Sequence, residues 1–250
     1  MRQISKILNS VKYRINRLLE SPAPSSFEEI ERAERIFYLE YLREGMTVFD
    51  VGANIGELTL LFSRFIGNGK VHAFEASSTV YKKLELVCGA AERRNVRLNN
   101  LALSDKNGTI RLHVYDGAYS SFNSQAARPL KKYGLDIEPI AIEEIAATTV
   151  DDYCERENIE SIDLLEIDVE GAELQVLRGA RNMLRQKRVR CLTFEFGQTT
   201  FDMGNRPEEI EDFLKEIDYK IRNIIKGDPI FPGRQSVETA RYSMHVATPV

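Results

Sequence analysis

The sequence predicts an α/β fold: a mostly parallel sheet with helices on both faces and a closing antiparallel strand. Two observations predict it. From Thr47 onward, short apolar strands alternate with helical repeats, the pattern of a parallel sheet whose crossovers cover both faces. The stretch Thr47-Val48-Phe49-Asp50-Val51-Gly52-Ala53-Asn54-Ile55-Gly56-Glu57 runs from a strand through a tight loop into an apolar helix. Such a unit puts its loop at the carboxyl end of the sheet, where open α/β folds bind ligands.

The elements follow in order. Residues Met1 to Glu20 read as a basic amphipathic helix, with Ile4, Leu8, Val11, Ile15 and Leu18 at helical spacing beside Arg2, Lys6, Lys12, Arg14 and Arg17. No Trp or Phe anchors its apolar face, so packing on its own domain or on a second copy is preferred over a membrane surface. Ser21 to Ser26 is a Pro/Ser linker, which divides residues 1–26 from a domain at 27–250. A helix from Phe27 to Leu42 leads into the first strand. Strand Val71–Phe74 ends in Glu75, and helix Thr79–Arg93 follows. Strand Val96–Leu103 ends in Ser104-Asp105, and Asn107-Gly108 turns into a hairpin partner at Thr109–Tyr115. Residues 116–147 carry little periodicity and read as a loop-rich insertion, a feature usually functional at that length. Then come strand Ile162–Val169, helix Ala172–Leu184, strand Val189–Phe196, helix Pro207–Glu216 and strand Tyr219–Ile224. A Gly/Pro loop and a closing strand at Tyr242–Ala247 end the chain.

Composition narrows the function classes. The chain has 250 residues, 43% hydrophobic and 29% charged, with net charge −4. That balance gives no pull toward nucleic acid. No apolar run approaches a membrane span, and the N-terminus lacks the continuous apolar core of a secretory signal. Cys88, Cys154 and Cys191 are widely spaced with no C-x-x-C, which fits reduced thiols in a cytoplasmic protein. Three scattered histidines argue against a His-based metal site.

The glycine loop discriminates between cofactors. A dinucleotide loop needs G-x-G-x-x-G, because the later glycines admit the pyrophosphate. Asn54 and Glu57 stand at those two positions, so an NAD(P)-dependent oxidoreductase is the alternative reading. S-adenosylmethionine (SAM) has no phosphate. Asp50 can serve its ammonium, the helix start its carboxylate, and Gly52 and Gly56 allow close approach. Glu75 is placed to accept from ribose hydroxyls. Asp105, with Ser104 beside it, is placed to accept from an adenine amino group.

Acids also cluster later. In a regular strand, Glu166, Asp168 and Glu170 share one face. Carboxylates in a row lose solvation and repel, so a pKa rises unless a cation is near. That cation is the cofactor, a basic side chain or Mg²⁺. Glu195 lies between Phe194 and Phe196, an apolar setting that also raises a carboxyl pKa. Activating an alcohol needs a base or a metal. Asp168 is the first choice of base and Glu195 the second. Asp168, Glu170 and Glu195 are the candidates for holding Mg²⁺, which the cofactor's own cation makes unnecessary.

Val48-Phe49-Asp50-Val51-Gly52-Ala53-Asn54-Ile55-Gly56, Ala102-Leu103-Ser104-Asp105, and Ile167-Asp168-Val169-Glu170-Gly171-Ala172-Glu173 with Val176-Leu177-Arg178-Gly179-Ala180 together resemble the FkbM-type SAM-dependent methyltransferases, across roughly Gly45 to Ile224. The resemblance implies a Rossmann-like, seven-stranded methyltransferase sheet. It implies O-methylation of a hydroxyl on a sugar or polyketide-type natural product. It places Asp50, Gly52, Asn54, Glu75 and Asp105 around SAM and Asp168 at the reaction centre. The family usually has a basic residue where this chain has Glu166. A non-catalytic binding module on the same fold is the third reading. Acceptor selectivity is expected in residues 116–147 and 197–206.

Overall fold

The computed structural model describes residues 25–250. The basic helix expected at 1–20, and most of the linker after it, lie outside the described residues. Ser26, the end of that linker, caps the first helix: its hydroxyl accepts from the Glu29 amide while the Glu29 carboxylate accepts from the Ser26 amide. This reciprocal cap satisfies two orphan donors and starts α1 (Phe27–Tyr41).

The main sheet is built from β1 (Thr47–Val51), β2 (Lys70–Phe74), β3 (Val96–Asn99), β7 (Leu164–Ile167), β8 (Leu192–Phe196), β9 (Tyr219–Asn223) and β10 (Ser243–Pro249). Its order is β3-β2-β1-β7-β8-β10-β9. The strands β3, β2, β1, β7 and β8 run parallel, and β10 runs antiparallel to both neighbours. The strand order reverses between β1 and β7, so a crevice opens there at the strand C-termini. Helices α2 (Glu57–Phe65) and α3 (Ser78–Ala90) join α1 on one face. Helices α4 (Val150–Glu157), α5 (Glu173–Gly179), α6 (Arg181–Arg185) and α8 (Pro207–Glu216) cover the other, and the short α7 (Gln198–Asp202) follows β8.

Strand alternation assigns each side chain to a face. Val48 and Leu164 enter the core under α1–α3 with Tyr38, Phe62 and Leu84. Phe49, Val51, Leu165 and Ile167 enter the other core with Tyr153, Leu177 and Leu214. Asp50 and Glu166 share the Val48 parity and sit opposite one another in register. Among the described residues, no helix is long and apolar enough to cross a membrane.

The structure departs from expectation in the middle of the chain. The strand expected at 96–103 is two strands, because Asn100 breaks it to donate from its side chain to the carbonyls of Glu75 and Ala76. The second piece, β4 (Ala102–Leu103), leaves the main sheet. It joins a separate sheet of order β4-β6-β5, with β5 (Gly108–Val114) and β6 (Ala141–Thr148). The hairpin partner of β5 is therefore not the strand before it but β6, across the insertion. Residues 141–147, expected as loop, are strand. The remainder of the insertion holds two short 3-10 turns at Gly117–Phe122 and Leu130–Tyr133. The helix expected at 172–184 is two helices, and α4 and α7 were not expected.

Candidate active site

The crevice holds a cavity of about 160 Å³ over β1, β2, β4 and β7. Its apolar wall is Phe74, Val80, Leu101, Ala102, Leu103, Ile110 and Leu112. Glu75 stands at its polar side, only 8% exposed. One Glu75 oxygen accepts from the Asn54 amide at 3.0 Å and the other from the Ser77 amide at 2.8 Å. Burial nevertheless pushes the Glu75 pKa up to about 7, with those two bonds and the charges of Asp50 and Asp168 acting after it. An apolar wall beside a fixed carboxyl suits a nucleoside, whose base is apolar on its faces and whose sugar hydroxyls can donate to an acid.

Gly52 and Asn54, expected to hold the cofactor, line this cavity. The reason for glycine differs from expectation. Gly52 has φ +98° and a Cβ there would lie 1.8 Å from the Asp168 carbonyl oxygen; Gly56 has φ +93° and a Cβ would meet Leu84 at 2.7 Å. Both glycines serve chain packing, and Gly56 does not line the cavity. Ser104 and Asp105 do not line it either: the wall ends at Leu103. The Ser104 hydroxyl turns to Asp105 Oδ1 at 3.3 Å.

Asp50, expected to serve the cofactor's ammonium, does not line this cavity. Its carboxylate is 1% exposed and accepts from the Thr59 hydroxyl. Burial raises its pKa to about 6, while bonds from Thr59 and Glu166 oppose the rise. Glu166 is pushed well above the usual range by burial and by Asp50 and Asp168. Both shifts favour the protonated forms, because adjacent buried carboxylates repel one another when both ionise.

The expected row of Glu166, Asp168 and Glu170 on one face is bent by the chain. Regular strand ends at Ile167, and Glu170 adopts φ +53°. Glu170 swings toward the insertion, where Glu195 and Asp168 join it. One carboxylate oxygen from each of Asp168, Glu170 and Glu195 lies within 4.8 Å of the others. Burial raises the Asp168 pKa, opposed by a hydrogen bond from Glu195. Glu195 is raised well above normal by burial and then by Asp168, Glu170 and Glu173. Phe194 and Phe196 are not the cause: they point to the opposite face, into the core. The Glu195 Oε1 also accepts from the Thr199 hydroxyl at 3.1 Å.

The insertion supplies the site's buried cation, which no sequence pattern marked. Arg128 has a side chain 7% exposed, ion-paired to Glu170 at 3.0 Å and to Asp202 at 3.4 Å. It lies over the Phe122 ring. Asp202 also accepts from the Tyr133 hydroxyl, and the Ser124 hydroxyl donates to the Glu170 carbonyl at 2.8 Å. The insertion is thus bolted to the loop after β7 and to α7, and its Ser120, Ser121, Asn123 and Gln125 close the cavity. Despite Arg128, burial and Asp168 hold the Glu170 pKa up at about 8. The three-carboxylate arrangement offers oxygen ligands suited to a hard divalent cation, but Arg128 already occupies one side of Glu170.

A sequence profile of the methyltransferase FkbM domain matches residues 50–221. The 31-O-demethyl-FK506 methyltransferase FkbM of Streptomyces tacrolimicus is 31% identical over 222 residues, covering 80% of this chain and 81% of that protein. The 2-O-methyltransferase NoeI of Sinorhizobium fredii is 28% identical over 150 residues, covering 56% of this chain and 60% of that protein, so the match spans under two thirds of NoeI. The crystal structure of a methyltransferase FkbM from Methylobacillus flagellatus shares the fold, with a TM-score of 0.50 and 15% identity over 85% of this chain and 50% of that one. The matched segment runs from Asp50 at the glycine loop to Ile221 in β9, and on this evidence the chain belongs to the FkbM methyltransferase family.

Proposed function

We propose that the protein is a SAM-dependent O-methyltransferase acting on a hydroxyl of a sugar or polyketide-type small molecule. The observation that carries the reading is the pairing of an apolar-walled cavity bearing Glu75 with a carboxylate cluster at Asp168. Gly52, Asn54 and Glu75 would hold the nucleoside end of the cofactor, with Val80 and Leu101–Leu103 against the base. When bound, SAM supplies an activated methyl group whose bond to sulfur breaks as the bond to the acceptor oxygen forms. The names of two relatives, an FK506 methyltransferase and a 2-O-methyltransferase, support oxygen as the acceptor atom.

The chain's own residues then have defined tasks. Asp168 takes the acceptor hydroxyl's proton. Burial raises its proton affinity above that of an ordinary carboxylate, the direction a general base needs. Glu195, protonated, donates to Asp168 and orients it. Arg128 and the insertion close the site against water, which strengthens each charge interaction inside. Fixing acceptor and cofactor in line supplies much of the rate. Membership in a methyltransferase family removes the case for the oxidoreductase reading. The non-catalytic reading is answered by experiment: the purified protein is incubated with methyl-labelled SAM and a panel of sugars and macrolide alcohols, followed by mass spectrometry. Label transfer to an oxygen supports the proposal. SAM binding without transfer to any acceptor across the panel would leave a binding module.

A further inference from the structure

A second cavity, of about 480 Å³, opens at the opposite end of the sheet from the glycine loop. Thr47, Lys70 and Val96, the first residues of β1, β2 and β3, line it beside Glu157 at the end of α4. It shares no residue with the proposed active site; the length of β2, roughly 17 Å, separates Lys70 from Glu75. Its lining carries three cations, Lys70, Arg94 and Arg97, against two acids, Glu157 and Glu160. Arg97 is already paired with Glu157 at 2.6 Å. Lys70 and Arg94 are exposed and form no ion pair among the described residues.

A buried imidazole also faces this cavity. His72 is 5% exposed, and its Nδ1 lies 2.9 Å from the Tyr153 hydroxyl. That hydroxyl donates to Asn99 Oδ1 at 3.1 Å. The Asn99 amide is oriented by its nitrogen, which donates to the Ala73 and Arg97 carbonyls. The one Tyr153 proton is therefore committed, and Nδ1 carries the hydrogen between His72 and Tyr153. Nε2 is left as a bare acceptor. It has no hydrogen-bond partner among the described residues and is not sealed from solvent, so it opens on the cavity that His72 lines. Burial first, then Arg97 and Lys70, lower the His72 pKa to about 4, so the ring is neutral and Nε2 keeps its lone pair at neutral pH.

We infer that this cavity is a second ligand site, for a sugar phosphate: Lys70 and Arg94 take the phosphate, and His72 Nε2 accepts from a sugar hydroxyl. The inference is independent of the methyl-transfer reading. Val71 pairs with Val96, so Lys70 and the residues just before Val96 lie on neighbouring strand starts. Two unpaired cations there suit a doubly charged group, and the Arg fork and the Lys point charge both match phosphate oxygens. A neutral imidazole with its lone pair outward repels the oxygens of an anion. The phosphate therefore sits on the cations and away from Nε2, and the group that meets Nε2 must donate. A ligand that satisfies both has an anionic end and a hydroxyl-bearing body. Glu160 offers a second acceptor for such hydroxyls.

Calorimetry on the full chain tests it with ribose 5-phosphate and glucose 6-phosphate, set against inorganic phosphate. The expected result is saturable binding of at least one sugar phosphate, about tenfold or more tighter than inorganic phosphate, which lacks the sugar contacts. In the double variant Lys70→Gln, Arg94→Gln that affinity should fall about ten- to hundredfold, the worth of charged hydrogen bonds. Both side chains are exposed, so an unchanged urea midpoint shows that the variant is folded. Nitrogen NMR of the His72 ring gives a second readout: the Nε2 resonance moves when the sugar phosphate is added, and the Nδ1 resonance stays. No saturable binding of either sugar phosphate, an affinity unchanged in the double variant, or an Nε2 resonance that does not move overturns the inference. Equal affinities for inorganic phosphate and the sugar phosphates also overturn it, since the cavity then only attracts anions.

Discussion

The carbonyl oxygen of Asp168 occupies the place where a side chain on Gly52 would begin, 1.8 Å from an ideal Cβ. The glycine loop and the loop carrying the proposed base are thus in backbone contact, and the Asp168 amide donates to the Val51 carbonyl at 2.9 Å. The glycine loop cannot move without moving Asp168. Gly52→Ala forces that contact apart and also strains a residue at φ +98°. It should destabilise the fold by more than about 2 kcal/mol, read as a lowered urea midpoint. An unchanged midpoint would show that the two loops are not tightly packed.

Glu75→Ala should weaken SAM binding by about 1.5–3 kcal/mol, the range for hydrogen bonds to a charged group. The change also frees the Asn54 and Ser77 amides, so part of the loss is loop order. Glu75→Gln keeps the acceptor oxygen and should recover some affinity. Equal calorimetric affinities in the unmutated protein and Glu75→Ala would take the ribose contact away from Glu75.

Asp168→Asn removes charge and keeps shape. Turnover should fall by about 10²–10⁴, the usual contribution of general acid–base catalysis, with a smaller change in SAM affinity. Chelator treatment of the unmutated protein distinguishes base from metal ligand. Activity lost to chelator and restored by Mg²⁺ means that the carboxylates of Asp168, Glu170 and Glu195 hold the ion; unchanged activity means direct proton transfer. Near-normal turnover in the variant would move the test to Glu195.

Arg128→Met leaves Asp202, 4% exposed in its side chain, without its cation. Breaking a buried pair from one side costs about 3–5 kcal/mol. The insertion should come loose, read as faster proteolysis between residues 116 and 140. Adding Asp202→Asn should return part of the stability, because the orphaned charge is then gone. No recovery in the double variant would place the role of Arg128 with Glu170 or Phe122 instead.

Local signals were legible and distant ones were not. The β1 loop and the end of β2 at Glu75 follow from short patterns, and α8 lies where Pro207 at its start and the acids after it place it. The cores also obey strand alternation. The break at Asn100 was hidden, because that residue works by binding carbonyls of another strand end. β6 was hidden because Glu143 and Glu144 interrupt its alternation and Ile142 faces outward at 56% exposure. Arg128 was unreadable for the same reason: its partners lie 42 and 74 residues away.

The acid-rich site predicts an unusual pH dependence for the ligand-free protein. Burial raises Glu34, Glu75 and Glu173 to about 7, from an ordinary value of 4.5. Folding therefore strengthens proton binding at each, and their contribution is fully present below 4.5 and lost as pH rises through 7. The buried histidines act oppositely. Burial lowers His72 to about 4 and His245 to about 3, so their neutral forms favour the fold above 6.5 and cost stability below it. The two groups offset one another in acid. Above 6.5 the histidines no longer change, and the carboxyls alone set the slope. Stability should then fall between pH 6.5 and 8, because the folded state holds protons that the unfolded state has released. Urea unfolding across that range checks it. Glu75→Gln should flatten the slope, since its amide does not titrate. A stability that rises with pH over the same interval would mean that these carboxyls are ionised in the fold, with cations beside them that the structure does not show.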